Sequence, residues 1–216
     1  MLDPSVTDLV TRPAVWAAIL VAYLLGAVPF GLLIARWLKG IDLRTIGSGN
    51  IGATNTARAL GRGWGFTVFV LDFVKGWAPA FLAPHIVEIA AGDRELFKVF
   101  LGTASVVGHC YSIFLGFKGG KGVSTGCGAI VAIEWQVFLA GGVVWVLTRL
   151  ATGYAGLASI LMGTAFPIAA WYIGWPQRRA LVIGAVLLMV LILIRHRSNI
   201  QRMLDGTEPN GKRHHG

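Results

Sequence analysis

Between residues 14 and 35 the chain carries no charged side chain at all. A helix rises about 1.5 Å per residue, so a run over 14–38 is long enough to cross the ~30 Å hydrocarbon core of a bilayer. Further apolar runs follow at 64–84, 96–117, 155–172 and 180–194. Soluble domains carry about 25% charged residues; this 216-residue chain has 13%, with 55% hydrophobic residues and a mean hydropathy of +0.67. The sequence therefore predicts an all-α integral membrane protein, a single polytopic domain over 1–216. Its 29 glycines suit helices that approach closely in lipid.

The formal net charge of +9 does not point to nucleic acid. The basic residues gather at the ends of apolar runs and at the C-terminus, as the positive-inside bias requires. Arg36, Lys39 and Arg44 follow the first run, while residues 1–12 hold Asp3 and Asp8. This places the N-terminus outside and the next loop in the cytoplasm. The basic segment Arg195-His196-Arg197 places the C-terminus inside as well, with a mobile basic tail over 206–216. Between the third run and the C-terminus the chain must then cross an even number of times. Two short helices, 123–133 and 135–149, interrupted at Glu134-Trp135-Gln136, satisfy that parity and bring the total to about seven membrane helices. Arg178 and Arg179 fall outside, a local exception to the charge rule. No cleavable signal peptide is expected, because the first run is too long. Cys110 and Cys127 show no metal-ligand spacing, and no disulfide is expected on the reducing side.

Three polar clusters interrupt this apolar background. Residues 47–58 read G-S-G-N-I-G-A-T-N-T-A-R. Ser48, Asn50, Thr54 and Asn55 offer neutral donors, and Arg58 offers a fork suited to phosphate. A turn leading into a short helix capped by Thr54 or Asn55 would use some of these residues but not all. Residues 116–128 read G-F-K-G-G-K-G-V-S-T-G-C-G. Glycines let backbone N–H groups turn toward an anion, Lys118 and Lys121 add charge, and a helix starting at Val123 adds its dipole. The same residues also fit a tight cytoplasmic turn. A Walker A loop is excluded, because Gly122 follows Lys121 where Ser or Thr is required. At the end of the last run, His196 and Asn199 share a helical face among Arg195, Arg197 and Arg202; the arginines alone fit a snorkelling helix end.

Other polar residues fit structural roles. Asp72 and Lys75 sit at i, i+3 inside the second run and can pair on one face. His109 lies near the end of the third run. Ser159, in the helix after Gly153, reads from sequence alone as a small packing residue. No metal-ligand set, paired carboxylates or Ser-His-Asp order stands out, and no cofactor or obligate protein partner is evident. The clusters suit phosphorylated molecules at the inner membrane surface. A transporter for a phosphorylated solute also fits, although no inverted repeat is visible. A non-catalytic binder of anionic lipid fits the basic tail. Labelled-solute uptake without chemical change would favour the first, and lipid binding that survives Lys121→Ala the second.

The segments G-S-G-N-I-G-A-T-N-T-A-R, F-K-G-G-K-G-V-S-T and H-R-S-N-I-Q-R, in that order, resemble the three signature motifs of the bacterial acyl-phosphate:glycerol-3-phosphate acyltransferase family. The resemblance extends over nearly the whole chain. It implies transfer of a fatty acyl group from acyl phosphate to the 1-hydroxyl of sn-glycerol 3-phosphate. The products would be lysophosphatidic acid and inorganic phosphate, made at the bacterial inner membrane without acyl-CoA, metal or cofactor. Carried over residue by residue, it implies Ser48, Asn50, Thr54 and Arg58 from the first motif and Lys121 with Gly119, Gly120 and Gly122 from the second. It implies His196 and Asn199 from the third, and Ser159 from the sixth helix. Lys121 and the glycine N–H groups would then hold the acyl phosphate, and Arg58 with Asn199 the glycerol phosphate. His196 would act as general base or orient a substrate; the departing phosphate is the other proton acceptor. Two departures are Ser112, where the family commonly has proline, and Met203 in place of leucine. Ser112 is expected, at most, to loosen the end of the third run.

Overall fold

A computed structural model describes residues 9–211. The polar N-terminal residues 1–8 and the last five residues of the tail lie outside the described residues. Ten α-helices are described in full: α1 (Pro13–Ala27), α2 (Phe30–Lys39), α3 (Ala53–Leu60), α4 (Arg62–Ile86), α5 (Arg94–Cys110), α6 (Val123–Ile133), α7 (Trp135–Thr152), α8 (Ala155–Gly174), α9 (Arg179–Arg195) and α10 (Arg197–Leu204). Among the described residues, five spans are long and apolar enough to cross a bilayer, with α1 and α2 counted as one. A sixth is counted if the bent pair α9–α10 is taken together. The chain is an all-α membrane protein. It divides into two compact units, Met1–Ile133 and Glu134–Gly216.

The first unit is built on close helix contacts. A side chain on Gly26 would collide with the Ser105 carbonyl, and one on Gly108 with the Tyr23 carbonyl. Bare backbone at both positions lets α1 and α5 touch, the usual route to dispersion energy between helices in lipid. Gly76 and Gly128 do the same for α4 and α6, against Thr125 and Phe73. Leu9, Val15, Ala22, Phe97 and Leu101 fill the apolar core.

The first apolar run is broken. Helix α1 stops at Ala27, and α2 starts only after Val28-Pro29. Pro29 has no N–H to continue the ladder, so carbonyls around the break need other donors. Ser112 Oγ donates to the Ala27 carbonyl at 2.6 Å, and Lys75 Nζ donates to Val28 O at 2.8 Å. Ser112 therefore ties the end of α5 to the end of α1; it does not loosen it. The Glu134 interruption is as expected. Its carboxylate accepts from Gln136 N and caps α7. That helix runs on to Thr152, so at 18 residues it is of spanning length, while α6 at 11 residues remains short.

In the second unit α7 packs on α8 with the Phe166 ring over Gly141, and α8 packs on α9 with Ile192 over Gly163. The two exceptional arginines are both engaged. Arg178 pairs with Glu134, and Arg179 lies over the Trp175 ring at 5.7 Å. Residues 207–211, expected to be mobile, are docked. Asn210 Nδ2 donates to Thr152 O, and Gly211 N donates to Gly153 O, both at 3.0 Å.

Candidate functional site

Three crossings separate the N-terminal side of the first unit from residue 122, so the loops 40–52 and 111–122 emerge at the same end of that unit. The first begins with a charge knot. Asp42 accepts from Arg44 through both its backbone and its guanidinium, and from Arg36 at 3.0 Å. The Arg44 hydrogen bonds hold the Asp42 carboxyl well below the usual carboxylate range.

Asn55 then fixes the loop from beneath. It is buried, its amide nitrogen donates to Leu43 O and Ile46 O, and its oxygen accepts from Ser48 N at 3.0 Å. Gly47 at φ +57° brings the backbone over that amide, where a Cβ would sit 2.4 Å from Asn55 Oδ1. Asn55 is thus a support for Ser48, not a ligand donor. The N-cap of α3 is Gly52, so neither Thr54 nor Asn55 caps it. Ser48 and Asn50 are half-buried, and Thr54 and Arg58 are exposed.

The glycine loop lies on the end of α5. Gly120 N donates to His109 O at 3.0 Å and Gly119 N to Cys110 O at 3.1 Å. These bonds satisfy two of the carbonyls that a helix C-terminus leaves over. Both N–H groups are therefore spent inside the protein and do not form the expected anion nest. Lys121 is half-buried, and α6 starts two residues after it. There the first-turn N–H groups have no intrahelical acceptor. Gly122 keeps φ +79°, and a Cβ there would meet Cys110 Sγ at 2.8 Å.

In the second unit, the α7–α8 turn and the segment after α9 share one end, as the Asn210 and Gly211 contacts require. His196 stands at a 51° bend between α9 and α10, so the helix does not continue straight through the motif. His196 is 2% exposed, and its Nδ1 is 2.9 Å from Ile192 O. A carbonyl only accepts, so Nδ1 carries the proton and Nε2 is the basic nitrogen of the neutral ring.

Asn199 is also buried. Its amide nitrogen donates to Glu208 Oε1 at 2.7 Å, and Gly156 has no Cβ to push it away. Arg202 Nε bonds the other oxygen of Glu208 at 2.8 Å. Glu208 did not figure among the sequence candidates; the signal was there, as the lone acid after Asp205 in a basic tail. Ser159 accepts from Trp145 Nε1 at 3.3 Å and donates to Ala155 O at 2.9 Å, a packing role whatever else it does.

The family model for glycerol-3-phosphate acyltransferase matches residues 16–206. A glycerol-3-phosphate acyltransferase of Aquifex aeolicus (strain VF5) is 45% identical over 193 residues, covering 88% of this chain and 95% of that protein. One from Shouchella clausii (strain KSM-K16) is 42% identical, covering 92% and 97%. The crystal structure of PlsY, an integral membrane glycerol 3-phosphate acyltransferase, superposes in its glycerol 3-phosphate form with a TM-score of 0.83. Identity is 42%, and 91% of this chain and 94% of that one are covered. Its lysophosphatidic acid form gives a TM-score of 0.81 at 41% identity. With three ordered motifs, the same helical architecture and a family match over most of its length, the chain belongs to the glycerol-3-phosphate acyltransferase family.

Proposed function

We propose that this protein transfers a fatty acyl group from acyl phosphate to the 1-hydroxyl of sn-glycerol 3-phosphate. Family membership carries the acceptor and the reaction class. Support for a phosphate-activated donor comes from Lys121, placed between a backbone loop fixed on α5 and the N-terminus of α6. The loop sets the Lys121 backbone two residues before α6, whose dipole favours negative charge.

The step needs no covalent enzyme intermediate. The O1 oxygen of glycerol 3-phosphate attacks the acyl carbonyl carbon, the new ester C–O bond forms, and the acyl C–O bond to phosphate breaks. Inorganic phosphate leaves and takes up the hydroxyl proton, directly or by way of His196 Nε2. Lys121 stabilises the charge on the leaving phosphate, and Arg58 and Asn199 bind the glycerol phosphate. Ser48, Asn50 and Thr54 contribute neutral contacts, and Ser159 a hydroxyl. The work of the protein is positioning and charge stabilisation.

The reading also assigns the site to the cytoplasmic face of the bacterial inner membrane, with the N-terminus outside and the whole chain acting as one domain. Arg36, Lys39, Arg44, Arg58, Lys118 and Lys121 all lie toward one end of the first unit, as the positive-inside bias asks. The cations that break the pattern in the second unit, Arg178 and Arg179, are held by Glu134 and Trp175.

The test is purified protein with labelled glycerol 3-phosphate and palmitoyl phosphate, palmitoyl-CoA or palmitoyl-acyl carrier protein, without added metal. Lysophosphatidic acid from palmitoyl phosphate alone, lost in Lys121→Ala, is the expected result. Product from palmitoyl-CoA at an equal rate would overturn the donor assignment.

A further inference from the structure

Three ionisable side chains lie together and buried in the first unit: Asp72 at 2%, Lys75 at 6% and His109 at 5% exposure. Burying such groups in a membrane-embedded bundle is costly, and apolar residues would fill the space at lower cost. Lys75 Nζ lies 2.7 Å from Asp72 Oδ1 and also holds the Val28 carbonyl. The Val28 carbonyl holds the ammonium and the ion pair holds the carboxylate, which stands 3.7 Å from His109 Nδ1.

The opposite edge of the His109 ring faces the glycine loop. A Cβ on Gly120 would lie 2.2 Å from Nε2 and 3.0 Å from both Cδ2 and Cε1. The main-chain oxygen of the same histidine accepts the Gly120 N–H. Gly120 is thus held by two parts of one residue, its carbonyl and its ring. The next residue is Lys121, and after it Gly122 rests on Cys110 and Val106. The backbone on either side of Lys121 is seated on α5, and on the Gly120 side the seat is a ring backed by a buried ion pair.

We propose that His109, backed by Asp72 and Lys75, is a positioning residue that sets the loop carrying Lys121. It does not touch substrate. The consequence for donor binding rests on the assignment of Lys121 to the acyl phosphate made above. A shift of about 1 Å in such a group costs up to a hundredfold in rate, so moderate changes in His109 are visible in kinetics.

His109→Ala is the primary variant. His109→Gln returns a polar atom near the Nε2 position, and the double variant Asp72→Asn with Lys75→Gln removes both charges together, so that no lone buried charge prevents folding. Each is purified in detergent with its thermal midpoint recorded. For folded His109→Ala, the KM for palmitoyl phosphate is expected to rise roughly tenfold while that for glycerol 3-phosphate stays within about twofold. Tryptic cleavage after Lys118 and Lys121 should accelerate, and His109→Gln should restore part of both. The double variant should show the same split. Folded variants with wild-type donor KM and wild-type cleavage rate would overturn the proposal, as would a loss that follows the thermal midpoint and affects both substrates equally. Lys121→Ala separates the two readings. If it leaves the donor KM unchanged, the donor assignment fails, and the cleavage rate of His109→Ala alone then decides whether the loop is positioned as proposed.

Discussion

The side-chain amide of Asn199 donates to Glu208 Oε1 at 2.7 Å, and both residues are buried. A residue from the tail thus orients one from the third motif. Glu208 also accepts from Arg202. Glu208→Ala leaves two donors without an acceptor and is expected to cost about 1–3 kcal/mol. Glu208→Gln retains one carbonyl oxygen and should lose less. Thermal unfolding in detergent ranks the two, and equal losses would show that the acceptor geometry is unimportant.

Asn55 spends its amide on three backbone groups of the first-motif loop. Asn55→Ala is expected to cost roughly 2–4 kcal/mol, since it strands several buried polar groups. Asn55→Asp should be as harmful, because a carboxylate cannot donate to the Leu43 and Ile46 carbonyls. The measurement is thermal unfolding together with tryptic cleavage after Arg44, which should speed up in both variants.

At position 112 the hydroxyl distinguishes serine from proline and alanine, since all three keep the carbonyl that accepts from Leu115 N and Phe117 N. Ser112→Ala removes the donor to Ala27 O and should cost about 1 kcal/mol. Ser112 already has φ −65°, the value proline imposes. Ser112→Pro therefore loses the same hydrogen bond but regains part of the stability through a stiffer unfolded chain, roughly 0.4–1 kcal/mol. Midpoints in the order wild type, Pro, Ala are expected.

The Asp42 knot predicts a pH dependence. Its folded carboxyl titrates below its unfolded value, near 4. The stability it contributes is present above that unfolded value and is lost as pH falls through the folded one. Comparison of wild type with Asp42→Asn should show a constant difference in thermal midpoint from pH 8 to 5 and a shrinking one below about pH 4. The difference is small, because Arg36 and Arg44 are solvent-exposed.

Two glycines should behave oppositely. Gly142, inside α7, has open space where a Cβ would stand. Gly142→Ala should be neutral or stabilising by about 0.5–1 kcal/mol through helix propensity. Gly120→Ala drives a methyl into the His109 ring and should strongly impair both thermal stability and acylation.

The membrane spans were legible because hydrophobicity over 20 residues outweighs any local detail. The Glu134 break was legible because a charge in an apolar run has few places to go. The break at Val28-Pro29 was also written in the sequence, in Pro29, but unbroken apolarity on both sides concealed it. The direction of the Gly119 and Gly120 N–H groups could not be read, since a glycine run gives the same sequence whether it faces a phosphate or a helix end. Glu208 was visible in sequence only as a lone acid in a basic tail, not as a partner of the third motif. Its partners Asn199 and Arg202 are charge-neutral and basic neighbours in sequence, and only the turn after α10 brings the acid back upon them.

The break after α1 has a bearing on how the protein is made. The donors for Ala27 O and Val28 O belong to Ser112 and Lys75, which leave the ribosome dozens of residues later. Until the end of α5 enters the bilayer, Ala27 O lacks its Ser112 donor, and until α4 does, Val28 O has only the Phe30 N–H two residues on. The N-terminal segment therefore acquires its final shape only when later helices arrive. Insertion of the first span and completion of its hydrogen bonds are thus separated in chain order.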